Sequence, residues 1–301
     1  MKYAPIVLFT YNRLDELKQT IEALKNNKLA SESELYIYSD AAKDKTDEQK
    51  VLKVRSYLKT IEGFNHLQVI ERDENFGLAR SVIEGVNEIL ERHGKVIVLE
   101  DDLITSKNFL CYMNSALEFY QDEEKVFSIS GYTMPLKSLK KYDNDTYASV
   151  RPSSWGWATW NDRWKGIDWD IRDYESFIHD KKAIKDFNLG GADLSRMLKH
   201  YKQKKNNSWA IRWAYAMFKA NKFCIYPKIS KVQNIGFGLD ATHCKGINIY
   251  SSPLDQTDSC DFKFINKIIL DKQIADSFKY QFSYMNKFIK KISNKIHSFL
   301  G

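Results

Sequence analysis

The chain has 301 residues, of which 43% are hydrophobic and 14% are aromatic, and its formal net charge is +7. This composition supplies a globular core, and no apolar stretch approaches the roughly 20 residues that a membrane-spanning helix needs. The basic residues follow no nucleic-acid-binding motif, so we expect no nucleic-acid partner.

The first half of the chain alternates between strand and helix patterns. Short apolar runs predict strands at Pro5–Phe9, Leu35–Tyr38, Leu67–Ile70 and Val96–Leu99. Apolar residues at helical spacing follow each run, with a capping-box start expected at Thr46 and a fourth helix expected to begin at Ser106. Strands separated by helices of this length indicate an α/β fold with a mostly parallel central sheet flanked by helices.

Each predicted strand ends in a polar cluster. The clusters are Thr10–Arg13, Ser39–Asp40, Glu71–Gly77 and Glu100–Asp102. Ligands bind at the carboxyl ends of strands in an open parallel sheet, so we expect the four clusters to meet at one rim and form a site.

The fourth cluster places three carboxylates in a row, at Glu100, Asp101 and Asp102. Adjacent like charges repel and raise one another's pKa values. A divalent cation would offset this repulsion, and Mn²⁺ or Mg²⁺ prefers carboxylate oxygens.

No glycine-rich dinucleotide motif or Walker A motif follows the first strand. Phosphate would then be held by a metal and basic side chains. The chemistry that fits is the departure of a nucleoside diphosphate whose developing charge a divalent ion neutralises.

Five of the seven tryptophans lie in the segment Ser153–Asp170. Broad aromatic faces suit the apolar faces of sugar rings, although part of this set is expected to be core. Gly156, between two tryptophans, permits a close backbone approach.

With these motifs, the sequence resembles the metal-dependent glycosyltransferases of GT-A fold, family 2 type. It is most similar to bacterial relatives of the N-acetylglucosaminyltransferase that initiates complex N-glycans. The resemblance covers roughly residues 3–245 and rests on LFTYNR, SDAAKD, ENFGLARSV, VIVLEDDL, SSWGWATW and CIYPKISKVQNIGFG.

The resemblance implies roles at the matching positions. Those expected to bind the nucleotide and donor sugar are Thr10, Asn12, Arg13, Asp40, Asn75, Gly77, Arg80, Glu100 and Asp101. Those expected at the donor sugar and acceptor are Trp155, Gly156 and Trp157. Asp102 is the expected metal ligand, and His243 is a second candidate ligand. His243 ends the segment 234–243, which resembles a loop that orders over the donor, with Gly236 and Gly238 giving it freedom.

The general base is not assigned by the resemblance. Relatives place a carboxylate in a tryptophan-rich stretch before the loop, but Asn207–Phe218 contains no Asp or Glu. The remaining candidates are Asp162, Asp168, Asp170 and Asp240, with Asp162 as the first choice because it lies beside the tryptophan motif.

These observations predict a metal-dependent, inverting glycosyltransferase. It would move a sugar from a UDP-linked donor to a glycan or lipid-linked acceptor in bacterial surface polysaccharide synthesis. The alternatives are a degenerate, non-catalytic domain that binds glycan or a partner protein, and a nucleotidyltransferase. We expect residues 1–130 to form the donor-binding half, 131–250 the acceptor-binding half, and 251–301 a C-terminal helical extension.

Two further features concern where in the cell the protein is found. Cys111, Cys224, Cys244 and Cys260 lie far apart with no CxxC pairing, which predicts reduced thiols in a cytoplasmic protein. Residues 284–301 combine an apolar stripe at helical spacing with four lysines, which predicts an amphipathic helix on an anionic membrane surface. The alternative is that the stripe packs on the catalytic domain.

Overall fold

The computed structural model describes residues 3–237 and 250–283. The strands are β1 (Ile6–Thr10), β2 (Glu34–Ser39), β3 (His66–Glu71), β4 (Lys95–Glu100), β5 (Leu103–Thr105), β6 (Val126–Ser130), β7 (Thr146–Ser149), β8 (Trp157–Trp160), β9 (Phe223–Pro227) and β10 (Val232–Asn234). The helices are α1 (Leu14–Lys25), α2 (Lys45–Leu58), α3 (Gly77–His93), α4 (Phe109–Phe119), α5 (Asn161–Trp164), α6 (Tyr174–His179), α7 (Lys181–Phe187), α8 (Leu194–Lys202), α9 (Trp209–Lys219) and α10 (Lys272–Gln281).

An eight-stranded sheet forms the centre of the molecule, in the order β3-β2-β1-β4-β8-β6-β9-β7. The first four strands pair in parallel, and β8 runs antiparallel between β4 and β6. The predicted α/β fold with a mostly parallel sheet is therefore confirmed. All five residues of β1 are buried, as expected for a strand covered on both faces.

Helix α3 shows how the sequence places the rim. Its buried residues recur at helical spacing, as in Val82, Val86 and Ile89. Gly85 packs on the ring of Phe9, where a Cβ atom would come within 2.8 Å of the ring. The helix ends at Gly94 in the left-handed conformation. This packing fixes the amino end of α3 beside the carboxyl ends of β1 and β2.

Two predicted helix starts were wrong. Helix α2 begins at Lys45, because the Asp44 side chain accepts a hydrogen bond from the Thr46 amide at 2.9 Å and takes the capping position. Helix α4 begins at Phe109 instead of Ser106. Residues 103–105 form β5, which pairs with β10, and residues 107–108 form a turn that leads into the helix.

One apolar core spans the sheet from Ala4 to Phe278, and a smaller core joins helices α6 to α9. The sheet draws strands from both predicted halves, so the division at residue 130 falls within a shared sheet. The predicted C-terminal helix is present as α10, whereas residues 251–270 contain no helix.

The expectation of reduced thiols was wrong for two of the four cysteines. Cys111 in α4 forms a disulfide with Cys260, across a separation of 149 residues and a Cα–Cα distance of 5.4 Å. The fold brings the C-terminal segment back onto α4, a proximity that spacing alone does not reveal. Cys224 is a buried free thiol, and Cys244 lies outside the described residues.

A buried ion pair fixes the same C-terminal segment. The Lys231 ammonium contacts the Asp255 carboxylate, which also accepts hydrogen bonds from the Asn108 amide at 3.1 Å and the Thr257 backbone N–H at 2.9 Å. Disulfide and ion pair together hold residues 255–260 against the start of α4.

Candidate active site

The polar ends of β1, β2 and β4 and the amino end of α3 line one cavity of about 920 Å³. Thr10, Asp40, Gly77 and Asp101 stand in its wall. Four segments that are far apart in the sequence thus share one rim, because the parallel strands all point their carboxyl ends toward it.

Arg13 neutralises part of the acidic triplet, which consists of Glu100, Asp101 and Asp102. Its Nη2 atom donates to Oδ1 of Asp101 at 2.7 Å and to Oδ2 of Asp102 at 3.0 Å. The Thr10 hydroxyl donates to Oδ2 of Asp101 at 3.0 Å, and the Tyr11 amide donates to the same atom at 3.2 Å. Asp101 is therefore held by Arg13 and by the end of β1.

The triplet remains short of positive charge. Burial raises the pKa of Glu100 to about 8, and the charges of Asp102 and Asp101 act in the same direction. Burial also raises the pKa of Asp101 to about 6, although the Arg13 guanidinium lowers it. Raised pKa values show that the positive charge beside these carboxyl groups is insufficient to keep them ionised. A further cation bound at the triplet would favour their charged form.

Asp102 is positioned by the residues that follow β10. The Asn234 side-chain amide donates to Oδ1 of Asp102 at 3.2 Å, and the Ile235 backbone N–H donates to its carbonyl at 2.9 Å. A Cβ atom at Gly236 would lie 2.0 Å from Oδ2 of Asp102. A glycine at position 236 is thus required for the backbone to pass this carboxylate.

Asp102 suits a metal that is shared with a substrate. Within residues 3–237 and 250–283, no group of three His, Cys, Asp or Glu side chains is arranged to hold a metal ion. Mg²⁺ and similar ions are commonly held by one or two carboxylates together with substrate phosphates. The residues present fit that arrangement, with Asp102 as the protein ligand. His243 lies outside the described residues.

Asp40 is saturated with hydrogen bonds, which does not suit its expected role of accepting from the base. Its Oδ1 atom accepts from the Phe76 and Ala41 amides at 2.8 and 3.0 Å. Its Oδ2 atom accepts from the Gly77 amide at 2.8 Å and the Asn75 side chain at 3.3 Å. These four bonds fill the usual capacity of a carboxylate, so Asp40 ties β2 to α3.

Asn12 and Arg80 differ in their positions. Asn12 lines the cavity and donates to Oδ1 of Asp47 at 2.8 Å. Arg80 lies outside the cavity lining and forms exposed ion pairs with Glu74 and Glu84 at 2.9 and 2.7 Å. The expected contact of Arg80 with the nucleotide is not supported, because its guanidinium is engaged at the surface.

The tryptophan motif divides between site and core. Trp155 lines the cavity. Trp157 is 1% exposed and packs against Trp213 with ring centroids 4.4 Å apart. Gly156 has a φ of 58°, and a Cβ atom there would lie 2.8 Å from Val232. The close approach at Gly156 is therefore to the protein's own strand β10, and the sugar-binding role expected for Gly156 and Trp157 is not supported.

Asp162 is in the wrong place for a base acting in this cavity. It follows β8, whose last residue Trp160 pairs with Lys95 at the start of β4, whereas the triplet lies at the end of β4. Its side chain is 66% exposed and forms an ion pair with Arg163 at 2.6 Å.

Asp168 and Asp170 also lie outside the cavity lining. Both are exposed, and the Asp168 carboxylate accepts from the Asp170 and Arg172 amides at 3.1 and 2.7 Å. Asp168 therefore caps a turn. The fourth candidate, Asp240, lies outside the described residues.

The far wall of the cavity was not predicted from the sequence. That wall includes Tyr132, Met134, Arg151, Met197, Phe278 and Phe282. These residues come from four separate segments and follow no motif. In the sequence, this wall was indicated by Arg151 alone, a charged residue two positions before the tryptophan-rich segment Ser153–Asp170.

Comparison with known families gives one clear match. The sequence profile described as "Glycosyl transferase family 2" matches residues 6–178, more than half of the chain. A search of curated proteins found no significant match.

The chain is also similar to several solved structures at low identity. It matches TarS 1–349 of S. aureus at 14% identity and a TM-score of 0.41, covering 78% of this chain and 61% of that one. It matches the mannosyltransferase PcManGT of Pyrobaculum calidifontis, solved with GDP-Man and Mn²⁺, at 12% identity and a TM-score of 0.39, covering 73% and 72%. The chain thus spans about three fifths of the TarS fragment.

Proposed function

The chain belongs to glycosyl transferase family 2, and we propose that it transfers a sugar from a UDP-linked donor with the help of a divalent metal. Family membership makes it a glycosyltransferase. The observation that carries the donor and metal proposal is Asp102, set beside Arg13 at the carboxyl ends of parallel strands, in a cavity large enough for a nucleotide sugar.

The donor half of the cavity offers groups suited to a nucleoside diphosphate. Arg13 would supply positive charge beside the diphosphate, and Thr10 and Asn75 would face the nucleoside. Gly77 begins α3 and would border the donor, while its backbone N–H donates to Asp40 at 2.8 Å. Asp40 would contribute indirectly, because its carboxylate holds the backbone at positions 76 and 77 in place.

Asp102 would hold Mn²⁺ or Mg²⁺. A bound divalent ion supplies Lewis-acid stabilisation of the charge that develops on the departing diphosphate. The Arg13 guanidinium contacts the Asp102 carboxylate. Arg13 would therefore be a second cationic group beside the departing diphosphate. Gly236 keeps the backbone clear of the Asp102 oxygen.

We propose inversion of configuration at the transferred sugar, with Asp240 as the general base. An inverting transfer requires a base within hydrogen-bonding reach of the acceptor hydroxyl. The carboxylates that line the described cavity are Asp40, which is saturated, and the acidic triplet, which serves the donor. Asp162, Asp168 and Asp170 lie elsewhere, which leaves Asp240 among the original candidates.

The acceptor and biological role extend this proposal. We propose a glycan or lipid-linked acceptor in bacterial surface polysaccharide synthesis, in line with the resemblance to bacterial relatives of the N-acetylglucosaminyltransferase. No helix in residues 3–237 and 250–283 is long and apolar enough to cross a membrane. Residues 284–301, which lie outside the described residues, are proposed to bind an anionic membrane surface through their lysines.

The proposal is tested with a panel of nucleotide sugars. Thermal unfolding is followed with each donor, with and without Mn²⁺, because a ligand that binds the folded state raises its stability. UDP and one UDP-sugar should raise the melting temperature in Mn²⁺ and do so much less in EDTA. Equal shifts in Mn²⁺ and EDTA would contradict the metal role, and no shift with any UDP compound would contradict the donor.

A further inference from the structure

The cavity continues from the acidic triplet into a second region with apolar walls, which we call the apolar lobe. Its walls are formed by Tyr132, Met134, Trp155, Met197, Phe278 and Phe282. The volume of about 920 Å³ lies near the upper end of the roughly 300–1,000 Å³ that is usual for small-molecule sites. The cavity thus has room for a second substrate beside a nucleotide sugar.

A continuous series of rings builds one wall of the apolar lobe. The Trp155 and Tyr132 rings meet edge to face, with their centroids 4.6 Å apart. The Tyr132 hydroxyl donates to the Tyr250 carbonyl at 2.5 Å, and the Tyr250 ring stacks on Phe282 at 5.7 Å. Phe282 in turn contacts Phe278 at 5.5 Å. At the other end of the series, the Trp155 ring meets the Phe237 ring edge to face, with centroids 5.9 Å apart, and Phe237 follows Gly236, which lies against Asp102. The wall therefore reaches the acidic triplet.

The charge in this region is compensated within the protein. The Arg151 guanidinium forms an ion pair with Asp193 at 2.8 Å and lies over the Phe282 ring at 3.7 Å. A guanidinium held in this way presents little net charge to a ligand. The apolar lobe therefore differs from the triplet, where burial leaves carboxyl groups short of counter-charge.

Half of the residues that form the apolar lobe lie outside the part of the chain that matches the family. Phe278 lies in α10 and Phe282 directly follows it, and both lie beyond the residues 6–178 that match the family. The Asp271 side chain caps α10 by accepting from the Ile274 amide at 2.9 Å, and Ile274 and Phe278 are buried. The C-terminal helix thus builds part of the cavity wall.

We propose that the apolar lobe is an acceptor subsite for an alkyl chain attached to the acceptor sugar. This inference rests on the proposed function, because it assumes that the triplet end of the cavity holds the donor. Aromatic rings and two methionine thioethers give an adaptable apolar surface, and an alkyl chain would remove that surface from water. The acceptor hydroxyl would then lie toward Trp155, between the apolar lobe and the triplet.

The test uses two probes that differ only in the chain, n-octyl β-D-glucoside and methyl β-D-glucoside. Binding of each to the full-length protein, saturated with UDP and Mn²⁺, is measured by titration calorimetry below the micelle concentration of the octyl compound. Each methylene that becomes buried strengthens binding roughly fourfold. We expect the octyl glucoside to bind at least about a hundredfold more tightly than the methyl compound.

A matched pair of variants on α8 locates the binding. Met197→Gln keeps the side-chain length but adds polar atoms inside the apolar lobe, and it should weaken octyl glucoside binding by about tenfold or more. Lys199→Gln changes an exposed residue of the same helix and should have no effect. UDP binding in Mn²⁺ should be the same in both variants and in the wild type.

Two outcomes would overturn the inference. One is equal binding of the two glucosides, and the other is octyl glucoside binding that Met197→Gln leaves unchanged. Either result, with UDP binding intact, would leave the proposed function in place. A protein that binds the octyl glucoside but does not bind UDP in Mn²⁺ would instead contradict the proposed function.

Discussion

Gly236 lies so close to Asp102 that a Cβ atom at position 236 would stand 2.0 Å from the carboxylate oxygen Oδ2. Either the backbone after β10 or the carboxylate must therefore move when any other residue replaces this glycine. The pair joins a strand end near residue 100 to a segment more than 130 residues later, and the proposed metal ligand depends on both.

The first prediction concerns this contact. Gly236→Ala should lower Mn²⁺-dependent donor hydrolysis by a factor on the order of 10², because a displacement of about 1 Å can cost that much. Gly94→Ala is the control. It also places a side chain at a positive φ, of 74°, but in open space at the far end of α3. The control should lose on the order of 1 kcal/mol of stability and keep its turnover. Equal turnover in the two variants would contradict the role of Gly236.

The second prediction concerns the metal ligand. Asp102→Asn removes a charged oxygen ligand and should abolish Mn²⁺-dependent turnover while leaving the far-ultraviolet circular dichroism unchanged. Mn²⁺ affinity, measured by electron paramagnetic resonance with UDP present, should fall in parallel. If the variant kept wild-type activity in Mn²⁺, Asp102 would not be the metal ligand.

The third prediction separates the candidate bases. Asp240→Asn should lower kcat by a factor on the order of 10²–10⁴ if Asp240 is the general base. Asp162→Asn should leave kcat within about twofold, because Asp162 lies at the opposite end of β4 from the triplet and pairs with Arg163. The reverse result would return the role to Asp162 and require a different acceptor position.

The fourth prediction concerns acid stability. Burial alone would raise the pKa of Asp255, but hydrogen bonds from Lys231, Thr257 and Asn108 lower it to about 2. For a carboxyl group whose folded pKa is lowered, the stabilisation is complete above the unfolded pKa near 4 and is lost as the pH falls toward 2. This group should account for a loss of about 2 kcal/mol of unfolding free energy between pH 4 and pH 2.

Urea unfolding between pH 2 and pH 7 measures that loss. Asp255→Asn should cost about 3–5 kcal/mol at pH 7, because it leaves Lys231 buried without its partner. The cost should shrink by about 2 kcal/mol at pH 2. The control, Asp258→Asn, changes a side chain that is 72% exposed and should stay within about 0.5 kcal/mol. A cost for Asp255→Asn that is the same at both pH values would show that the pKa of Asp255 is not lowered.

The fifth prediction concerns residues 284–301. Deleting them should abolish binding to anionic liposomes, since each lysine near such a surface contributes about 1 kcal/mol. The shortened protein should still bind UDP in Mn²⁺ and melt near the wild-type temperature. Aggregation or early melting would show that the apolar stripe packs on the rest of the chain.

Local patterns were sufficient to predict the first four strands and the rim that they form. Apolar runs and helical spacing depend on neighbouring residues, and the ends of parallel strands must share an edge of the sheet. Apart from the start of α2, which the nearby Asp44 sets, the errors involve partners that are far away in the chain. Asp162 was misplaced because the direction of β8 is set by its pairing with β4.

The same reason explains Asp40 and the cysteines. Two of the four hydrogen bonds that fill Asp40 come from backbone amides at positions 76 and 77, and Cys111 meets Cys260 only after the chain has returned across the sheet. Trp157 and Trp155 are two residues apart on one segment, yet one is core and the other lines the cavity. Burial in the folded chain, which residue type does not determine, separates them.

The hydrogen bonds of Asp40 have a consequence for the timing of donor capture. Three of these bonds hold the loop at residues 75–77, so the loop loses its conformational entropy during folding and need not lose it again when a ligand binds. UDP should therefore bind beside this loop in a single step, and the observed rate of binding should rise linearly with UDP concentration. A mutation that removes the Asp40 carboxylate would release this loop, and each binding event would then wait for the loop to regain its binding conformation.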